Sequence, residues 1–508
     1  MRFPATREFG AALLLAFAAQ AASADVTAQD VWSDWRDYVA GTGYEITATE
    51  TATGNGLTVS DLRLTMQAPD TAGALKVEIA QIVFTENGDG TVSVALPPTI
   101  PVRFSGISED DTPIEARIDY TRSGETLTVS GAPGDMAFDY AADEAVLALA
   151  ELLIAGEAAP ADMARLAVTL TGVASRSQMK QDDLRRYAQD MSVAAMSYDI
   201  ALTDPEEGGK MTLAGALNGL GFKGTGSVPM AVEGADMSAL LGDGFAFDGT
   251  FTFGSGTTNL AFDDAGEALS YTSSSEGGSA AAAMDAERMT YDLRQKKTAI
   301  AATTSELPFP VSAEMGEAAL NLSVPVAKSD EAQDFALGLT LGDFTMAEAL
   351  WGMIDPAGQL PRDPASVVVD LSGKLRMLYD MFDPNVAAML EATEQAPAEL
   401  DALTINKLLV SMVGAKLSGS GDFTFDNSAP TGAQGMPKPT GTMELQLVGG
   451  NGLIDKLIGM GMLSDQDAMG ARMMLGMLAV PGDAPDTLNS KIEFNDQGHI
   501  LANGQRIQ

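Results

Sequence analysis

The sequence contains no cysteine and a single histidine among its 508 residues. Without cysteine the chain can form no disulfide and has no thiolate for metal binding or catalysis, so buried apolar surface must stabilise the fold. His499 lies in a predicted hairpin close to the C-terminus, which argues against a Ser-His-Asp triad, and one histidine excludes multi-histidine zinc and iron sites. We therefore predict no catalytic, cofactor-binding or metal-ligating residue and expect a protein that is not an enzyme.

Basic residues are also scarce, because 30 lysines and arginines are outnumbered by 70 aspartates and glutamates and leave a net charge of −40. Such a surface repels nucleic-acid phosphates and anionic lipid headgroups, so no nucleic-acid partner is expected. The hydrophobic fraction of 45% argues against wholesale disorder. The length predicts two to four domains at roughly 100 to 200 residues each.

The chain lacks an apolar run of the about 20 residues that a membrane-spanning helix needs. Its N-terminus carries instead Arg2 and Arg7, an apolar run at residues 11–19 and the sequence A-S-A at residues 22–24. This order is typical of a secretory signal peptide with an A-x-A cleavage site. We predict a signal peptide over residues 1–24, a periplasmic or extracellular mature protein, and no integral membrane segment after signal removal.

Apolar and polar residues alternate along most of the remaining chain, which predicts antiparallel strands with one face in water. At Ser60 and Asp61 the alternation changes phase, so a β-bulge is expected there. The predicted fold class is mainly β, with a large antiparallel, curved meander sheet, short helices packed on one face and a C-terminal helical hairpin. One continuous sheet and two β-rich lobes, over residues 25–272 and 273–508, both fit this pattern. The alternating runs lie at residues 57–66, 77–96, 118–129, 245–253, 335–341 and 443–447.

Helical periodicity is confined to short segments. A leading helix is predicted over residues 27–39, where Trp32 and Trp35 lie on its apolar side. Thr345 and Glu348 form a capping-box pattern, and Pro384 suits the first position of another helix. Further helices are predicted at residues 143–155, 236–241 and 345–354 and, as a hairpin divided at Gly461, at residues 452–479. The stretches 273–279 and 427–440 are predicted loops or boundaries.

The C-terminal hairpin contains the one group of side chains whose pattern indicates a binding surface. Methionines recur at i, i+4 and i+8 on its second helix, and methionine is flexible and polarisable enough to suit promiscuous apolar sites. The same stripe also suits an inward core face, and we predict core packing for at least one of the two helices. The candidate apolar ligand or partner surface consists of Leu457, Met460, Met469, Met473 and Met477.

Two weaker motifs have ordinary structural interpretations. Ser177 and Lys180 match the S-x-x-K of serine β-lactamases, but the accompanying S-D-N and K-T-G motifs are missing. The segments 86–90 and 263–267 cluster oxygen ligands around glycine as calcium loops do, yet their positions between alternating runs favour hairpin turns. No pair of carboxylates stands out as a glycosidase-type pair.

Several motifs together resemble a known family, the secreted Gram-negative proteins grouped as domain of unknown function family 2125 (DUF2125). They are W-G-M-I-D-P at residues 351–356 with L-P-R-D-P at 360–364, G-G-N-G-L at 449–453, A-M-G-A-R-M-M at 468–474 and A-N-G-Q-R at 502–506. The resemblance implies no catalytic or binding residue. The architecture alone is similar, more loosely, to periplasmic AsmA-type proteins, whose folded-over sheets carry lipid.

Three classes of function fit these observations. The first is a non-enzymatic periplasmic envelope protein that binds a lipid, or another apolar ligand or partner, in a sheet-lined groove. The second is an envelope protein–protein scaffold that uses sheet edges or the acidic surface, and the third is a hydrolase with two carboxylates in one pocket. A sheet-enclosed cavity would be apolar in the first, absent in the second and acidic in the third.

Overall fold

The computed structural model describes residues 25–41, 43–67, 73–107, 112–204, 208–230, 237–264, 266–393, 395–428 and 437–508. The predicted signal peptide over residues 1–24 lies outside these residues, as does most of the predicted loop at 427–440. None of the helices that the structure describes is long and apolar enough to cross a membrane.

Six short helices interrupt the described chain. The predicted leading helix, the helix that begins at Pro384 and the C-terminal helical hairpin are all confirmed. The helix predicted at 236–241 is confirmed as well, although its expected first residue lies outside the described part of the chain. The helices are α1 (Ala28–Gly41), α2 (Met237–Gly242), α3 (Glu348–Ile354), α4 (Pro384–Thr393), α5 (Gly450–Gly459) and α6 (Asp465–Leu478).

The described residues also form 27 strands of one large antiparallel sheet, which confirms the predicted fold class. The strands are β1 (Glu45–Thr53), β2 (Gly56–Gln67), β3 (Ala74–Glu86), β4 (Val92–Ala95), β5 (Thr99–Ile107), β6 (Pro113–Ser123), β7 (Thr126–Ala132), β8 (Asp135–Ile154), β9 (Glu157–Ala158), β10 (Ala164–Gln181), β11 (Leu184–Thr203), β12 (Lys210–Pro229), β13 (Ala246–Phe253), β14 (Ser255–Asp264), β15 (Glu267–Ser275), β16 (Gly278–Met284), β17 (Arg288–Thr304), β18 (Val311–Pro325), β19 (Gln333–Met346), β20 (Ala365–Met377), β21 (Ala398–Met412), β22 (Ala415–Asp426), β23 (Lys438–Val448), β24 (Val480–Pro481), β25 (Thr487–Phe494), β26 (Ile500–Ala502) and β27 (Gln505–Arg506).

Long strands alternate in this sheet with pairs of shorter ones. Between β3 and β8, the pair β4–β7 lies on one half of the sheet and the pair β5–β6 on the other. Between β12 and β17, the pairs β13–β16 and β14–β15 repeat the arrangement. The sheet therefore has two flanks. The first flank carries β4, β7, β13 and β16, and the second flank carries β5, β6, β14 and β15.

A crease of left-handed residues separates the two flanks. Gly172 in β10 and Gly219 in β12 have φ of 59° and 61°, and Lys297 in β17 and Asp343 in β19 have φ of 45° and 55°. A left-handed residue breaks the two-residue repeat and bends the strand, so apolar side chains change from odd to even positions, or the reverse, as each strand crosses the crease. The predicted β-bulge at Asp61 is confirmed, with φ of 52° and a shifted register against β1, and it lies on β2 where the phase changes in the same way.

The densest core lies where α1 packs against the first strands. Val31 and Trp32 of α1 are buried with Val59 and Phe84 of the sheet, and the Trp35 ring contacts the Phe84 ring with centroids 5.6 Å apart. The Glu86 carboxylate accepts a hydrogen bond from the Ala28 backbone N–H at 3.0 Å and so caps the helix. Helix α1 and strands β2 and β3 thus share one core, and α1 covers the N-terminal end of the sheet.

Three predictions about local structure are wrong. Residues 143–155, predicted as a helix, belong almost entirely to β8, because β6 and β10 pair with this segment on both sides and outweigh its alanine and leucine content. The capping box at Thr345 does not form, since Thr345 still pairs within β19 and α3 begins after Ala347 without a side-chain cap. Residues 273–279, predicted as a loop or boundary, form no loop of that length, because all but residues 276–277 belong to the ends of β15 and β16. The division into lobes at residues 272 and 273 stays a prediction.

Candidate functional site: an apolar groove along the sheet

Rows of apolar side chains run across the first flank, perpendicular to the strands. Directly opposed residues of neighbouring strands share a face of the sheet, so the pairing register shows which side chains lie side by side. Eight strands contribute one row, which extends about 35 Å at the usual strand spacing. The row is Phe222, Phe251, Ala280, Leu293, Leu320, Leu339, Val369 and Leu408.

Two further rows run parallel to the first. The members of one are Tyr291, Leu322, Leu337, Leu371 and Ile405. The members of the other are Ala318, Leu341, Val367, Val410, Leu417, Leu447 and Leu488. The opposite face carries Asp292, Asn321, Asp370 and Lys407 in matching positions. The sheet therefore has one apolar and one polar face, as the alternation in the sequence predicts.

The apolar face forms a groove of about 610 Å³ between β11 and β17. Aromatic side chains provide much of its lining, including Tyr187, Phe247, Phe251 and Tyr291. A neighbouring depression of about 470 Å³ continues the groove over β18 and β19, and the two share Leu293. Together they form a single apolar trough along the sheet.

Two glycines leave room for the Phe222 ring to lie flat on the sheet, so the groove stays open. Gly224 and Gly249 face each other across β12 and β13, and the Phe222 ring covers both. A Cβ atom at Gly224 would lie 2.9 Å from Phe222 Cζ, and one at Gly249 would lie 3.3 Å from Cε2. The ring can therefore lie along the sheet, where it forms the floor of the groove instead of filling it.

The apolar side chains of the groove remain partly in water. Leu293 is 43% exposed and Leu320 is 39% exposed. Across the crease, the second flank also exposes apolar side chains, among them Leu147, Phe262 and Ile300. Contiguous apolar surface of this extent marks a binding site in most soluble proteins.

The apolar faces of the two flanks meet at the crease. There, Leu170 of the second flank packs against Val173 and Val193, which continue into the first flank. The apolar surface therefore continues across the crease.

Helix α1 closes the N-terminal end of the apolar face. Arg185 of β11 lies on the same face as Tyr187, and its Nη2 atom is 3.5 Å from Asp34 Oδ1 of α1. The guanidinium also lies over the Tyr38 ring of α1, 5.1 Å from the centroid. Burial raises the pKa of Asp34, and the attraction of Arg185 offsets only part of that rise. These contacts hold the end of α1 against the sheet.

The helical hairpin of α5 and α6 lies at the C-terminal end of the same face. A side chain at Gly450 would collide with Leu447 of the third row, so α5 begins directly against the apolar face. The Asp486 carboxylate caps α5 by accepting hydrogen bonds from Asn451 N at 3.1 Å and Gly452 N at 2.8 Å. Burial alone would raise the pKa of Asp486, but these hydrogen bonds lower it below its ordinary value.

The far end of α6 is held by two side-chain donors. Ser490 Oγ and Asn503 Nδ2 both donate hydrogen bonds to the Leu478 carbonyl oxygen, the latter at 3.0 Å. Arg472 of α6 forms an ion pair with Asp455 of α5. The G-G-N-G-L and A-N-G-Q-R motifs of the sequence thus supply the two ends of one anchored hairpin.

The predicted surface residues of the hairpin divide into two groups. Leu457 and Met460 of the α5 side are half-buried, which agrees with core packing for one helix. Met469, Met473 and Met477 are 67%, 68% and 60% exposed, so a core role for this stripe is wrong. On α6, Ala468 is buried and Leu475 and Leu478 are half-buried instead. Whether these methionines bind a ligand or a partner stays a prediction.

The buried carboxylate of Asp355 orders a further motif of the family, W-G-M-I-D-P at residues 351–356 with L-P-R-D-P at 360–364. Asp355 is fully buried and accepts hydrogen bonds from Gln359 N at 2.9 Å, Leu360 N at 2.8 Å and Arg362 Nη1 at 2.8 Å. Burial raises the pKa of Asp355, but the three hydrogen bonds and the arginine charge outweigh it and lower the pKa below its usual range. Arg362 also stacks over the Trp351 ring at 4.4 Å. The motif fixes the turn after α3.

The remaining candidate motifs are parts of strands and turns. Ser177 and Lys180 lie three residues apart on β10, so their side chains are on opposite faces and cannot act together. In the segment 86–90, Asp89 accepts hydrogen bonds from the Thr91 N–H and hydroxyl groups. Within the described residues, no three histidine, aspartate or glutamate side chains form a group that could hold a metal ion.

Sequence reasoning missed the groove residues themselves. Phe247, Phe251 and Leu339 were recognised as parts of alternating runs, but their proximity depends on pairing registers over many strands. Phe222 carries no local signal, because Gly221, Gly224 and Gly226 interrupt the alternation around it. The phase change at Asp61 predicts a β-bulge in β2, but not that bends recur along the sheet as a crease.

The model of the DUF2125 family, described as an uncharacterized protein conserved in bacteria, matches residues 245–502. The chain belongs to this family. The DUF2125 match includes the groove from β13 onward, the Asp355 turn and the whole helical hairpin, so the resemblance predicted from the sequence is confirmed.

Other comparisons add little to the DUF2125 assignment. No curated protein matches the sequence. A solved structure, that of the ferric citrate transporter FecA in the unliganded form, is 9% identical with a TM-score of 0.16, over 91% of this chain and 77% of its own. A similarity at that TM-score supports no conclusion about fold or function.

Proposed function

We propose that this DUF2125 protein is a non-enzymatic envelope protein that binds lipid acyl chains, or another elongated apolar ligand, in the apolar groove of the first flank. The observation that carries the proposal is the row through Leu293 and Leu320, which is continuous, apolar and partly in water. Each Å² of apolar surface that a ligand covers contributes about 25 cal/mol of transfer free energy, from which the cost of association is subtracted. An acyl chain fits because the trough is long and apolar along its length.

The lining of the groove favours this function over a carboxylate-based hydrolase. Asp248 is the one acidic residue among the described side chains that line the larger depression. Alternation along β13 directs it away from Phe247 and Gly249, toward the polar face. A hydrolase would need two carboxylates in the same pocket, and this groove supplies no such pair.

Export of the protein is part of the proposal. Residues 1–24 have the order of a signal peptide, and cleavage after residue 24 would leave the buried Val26 and Ala28 in place to complete the core with α1. N-terminal sequencing of the protein from a bacterial periplasmic fraction should begin at Asp25. A chain that retains Arg2 and stays in the cytoplasm would contradict export.

Ligand uptake by delipidated protein tests the groove. The wild-type protein should bind a fluorescent fatty acid with saturation, and Leu320→Glu should weaken binding at least tenfold by placing a charge on the apolar row. Asn321→Glu is the matched control, since Asn321 faces the polar side opposite Asp292 and should bind as the wild type does. If the delipidated wild-type protein takes up no fatty acid, and native mass spectrometry of freshly purified protein shows no apolar ligand, the proposal is wrong.

A further inference from the structure

Helix α6 has two apolar sides, of which the structure uses one. Ala468 is buried and, with Leu475 and Leu478, faces the rest of the protein. Met469, Met473 and Met477 recur every four residues on the opposite side, where more than half of each side chain is in water. We call these three residues the methionine face. An exposed apolar stripe of this kind on a helix is an interaction surface by default.

The helix that carries the methionine face is fixed in place at both ends of the hairpin. Asp486 caps the start of α5, two side-chain donors hold the Leu478 carbonyl oxygen at the end of α6, and Arg472 pairs with Asp455 between the helices. Ser464 Oγ additionally accepts a hydrogen bond from Asp467 N at 3.1 Å as N-cap. A partner would therefore meet a preorganised surface and lose little free energy in ordering it.

Charge around the methionine face selects the kind of partner. Asp465 and Asp467 lie in the first turn of α6, and its last turn carries no basic residue. Arg472, the cation of the helix, is already paired with Asp455. An anionic membrane would be repelled by this rim and by the net charge of −40, and a second copy would bring the same acidic rim against itself.

We propose that the methionine face of α6 docks a cationic amphipathic helix of a partner protein. Apolar side chains at i, i+3 and i+4 of the partner would pack on the flexible methionines, and its lysines or arginines would face Asp465, which lies beside Met469 on α6. The hairpin begins against Leu447 at the C-terminal end of the groove, so the partner would be held beside that end. The docking surface does not depend on what the groove binds.

Binding of a designed peptide tests the proposal. The probe is a fluorescent helical peptide with leucines at i, i+3, i+4 and i+7 and lysines elsewhere, measured by anisotropy with the full-length protein at 150 mM salt. Met473→Gln with Met477→Gln should weaken binding at least tenfold without a change of charge. Met230→Gln with Met381→Gln is the matched control, because both methionines are exposed in the connections that follow β12 and β20, and it should bind like the wild type.

Three outcomes would overturn the proposal. Equal binding by both double variants would show that the peptide responds only to the overall negative charge. Sedimentation of the protein with vesicles of anionic phospholipid, abolished by the Met473→Gln, Met477→Gln variant, would make the face a membrane contact. Concentration-dependent dimerisation that the same variant abolishes would make it an interface between copies.

Discussion

At the scale of single residues, a few fully buried side chains hold segments that are distant in sequence. Asp355 joins the end of α3 to the turn that leads into β20, and Phe84 fills the core beneath α1. Both lie outside the groove, so changes there should act on stability and leave the ligand surface intact.

Asp355 should make the stability of the protein depend on pH. Its pKa is lowered in the folded state, so its ionised form contributes stability that is fully present above the unfolded value of about 3.9 and is lost as pH falls through the folded pKa. Asp355→Asn should lower the thermal midpoint at pH 7 and reduce the further loss between pH 5 and pH 2. The exposed Asp363→Asn is the control, and an Asp355→Asn variant with a wild-type pH profile would contradict this role.

Phe84 should be one of the most sensitive core positions. Its ring is buried between Trp32 and Trp35, and Phe84→Ala should lower the free energy of unfolding by about 3 to 5 kcal/mol, through lost burial and a cavity. Phe104 is 43% exposed, so Phe104→Ala should cost far less. Chemical denaturation of both variants measures the difference. Equal losses would show that α1 does not form the main core.

At the scale of elements, α6 packs against the protein with one side and exposes its methionines on the other. Met473→Gln with Met477→Gln should change the free energy of unfolding by less than about 0.5 kcal/mol, as exposed substitutions do. Ala468→Met should cost about 1 to 3 kcal/mol, because it forces a large side chain into a closed contact. Thermal melting distinguishes the two. A large loss from the glutamine variant would restore the core interpretation of the methionine stripe.

The crease should depend on its left-handed residues. Gly219→Ala should cost about 1 to 2 kcal/mol from backbone strain at φ of 61°, although space is available for the Cβ atom. Gly106→Ala, in β5, adds a Cβ that meets no neighbour and has no positive φ, so it should be neutral or slightly stabilising. Equal effects in denaturation experiments would mean that the crease imposes no strain.

The elements were largely predictable from the sequence, and their arrangement was not. Alternation identified the strands and caps identified most helices, because both signals are local. Residues 143–155 were misassigned because local helix propensity favours alanine and leucine, while pairing with β6 and β10 decides the outcome. For α6, periodicity found the methionine stripe but could not show that Ala468 and Leu475 lie on the packing side. The exposure of Met469, Met473 and Met477 therefore follows from packing, which periodicity cannot show, and their role as a binding surface stays a prediction.

At the scale of the whole molecule, one sheet with a crease produces a long apolar trough whose N-terminal end is closed by α1 and whose C-terminal end is occupied by the hairpin. The first row alone spans about 35 Å by strand spacing, whereas one leaflet of a bilayer core is about 15 Å deep, half of the usual 30 Å. The groove is thus longer than one acyl chain. Native mass spectrometry of lipid-saturated protein should show more than one bound chain per molecule, and a strict limit of one would contradict a continuous trough.

Photocrosslinking in cells tests the central claim most directly. A benzophenone amino acid at Leu320 would lie in the apolar row, and the same amino acid at Asn321 would lie one residue away on the polar face. With a radiolabelled fatty acid supplied to the cells, illumination should label the chain at position 320 strongly and at position 321 weakly or not at all. Equal labelling at both positions, or labelling at neither, would contradict the account of the apolar face as a ligand-binding groove.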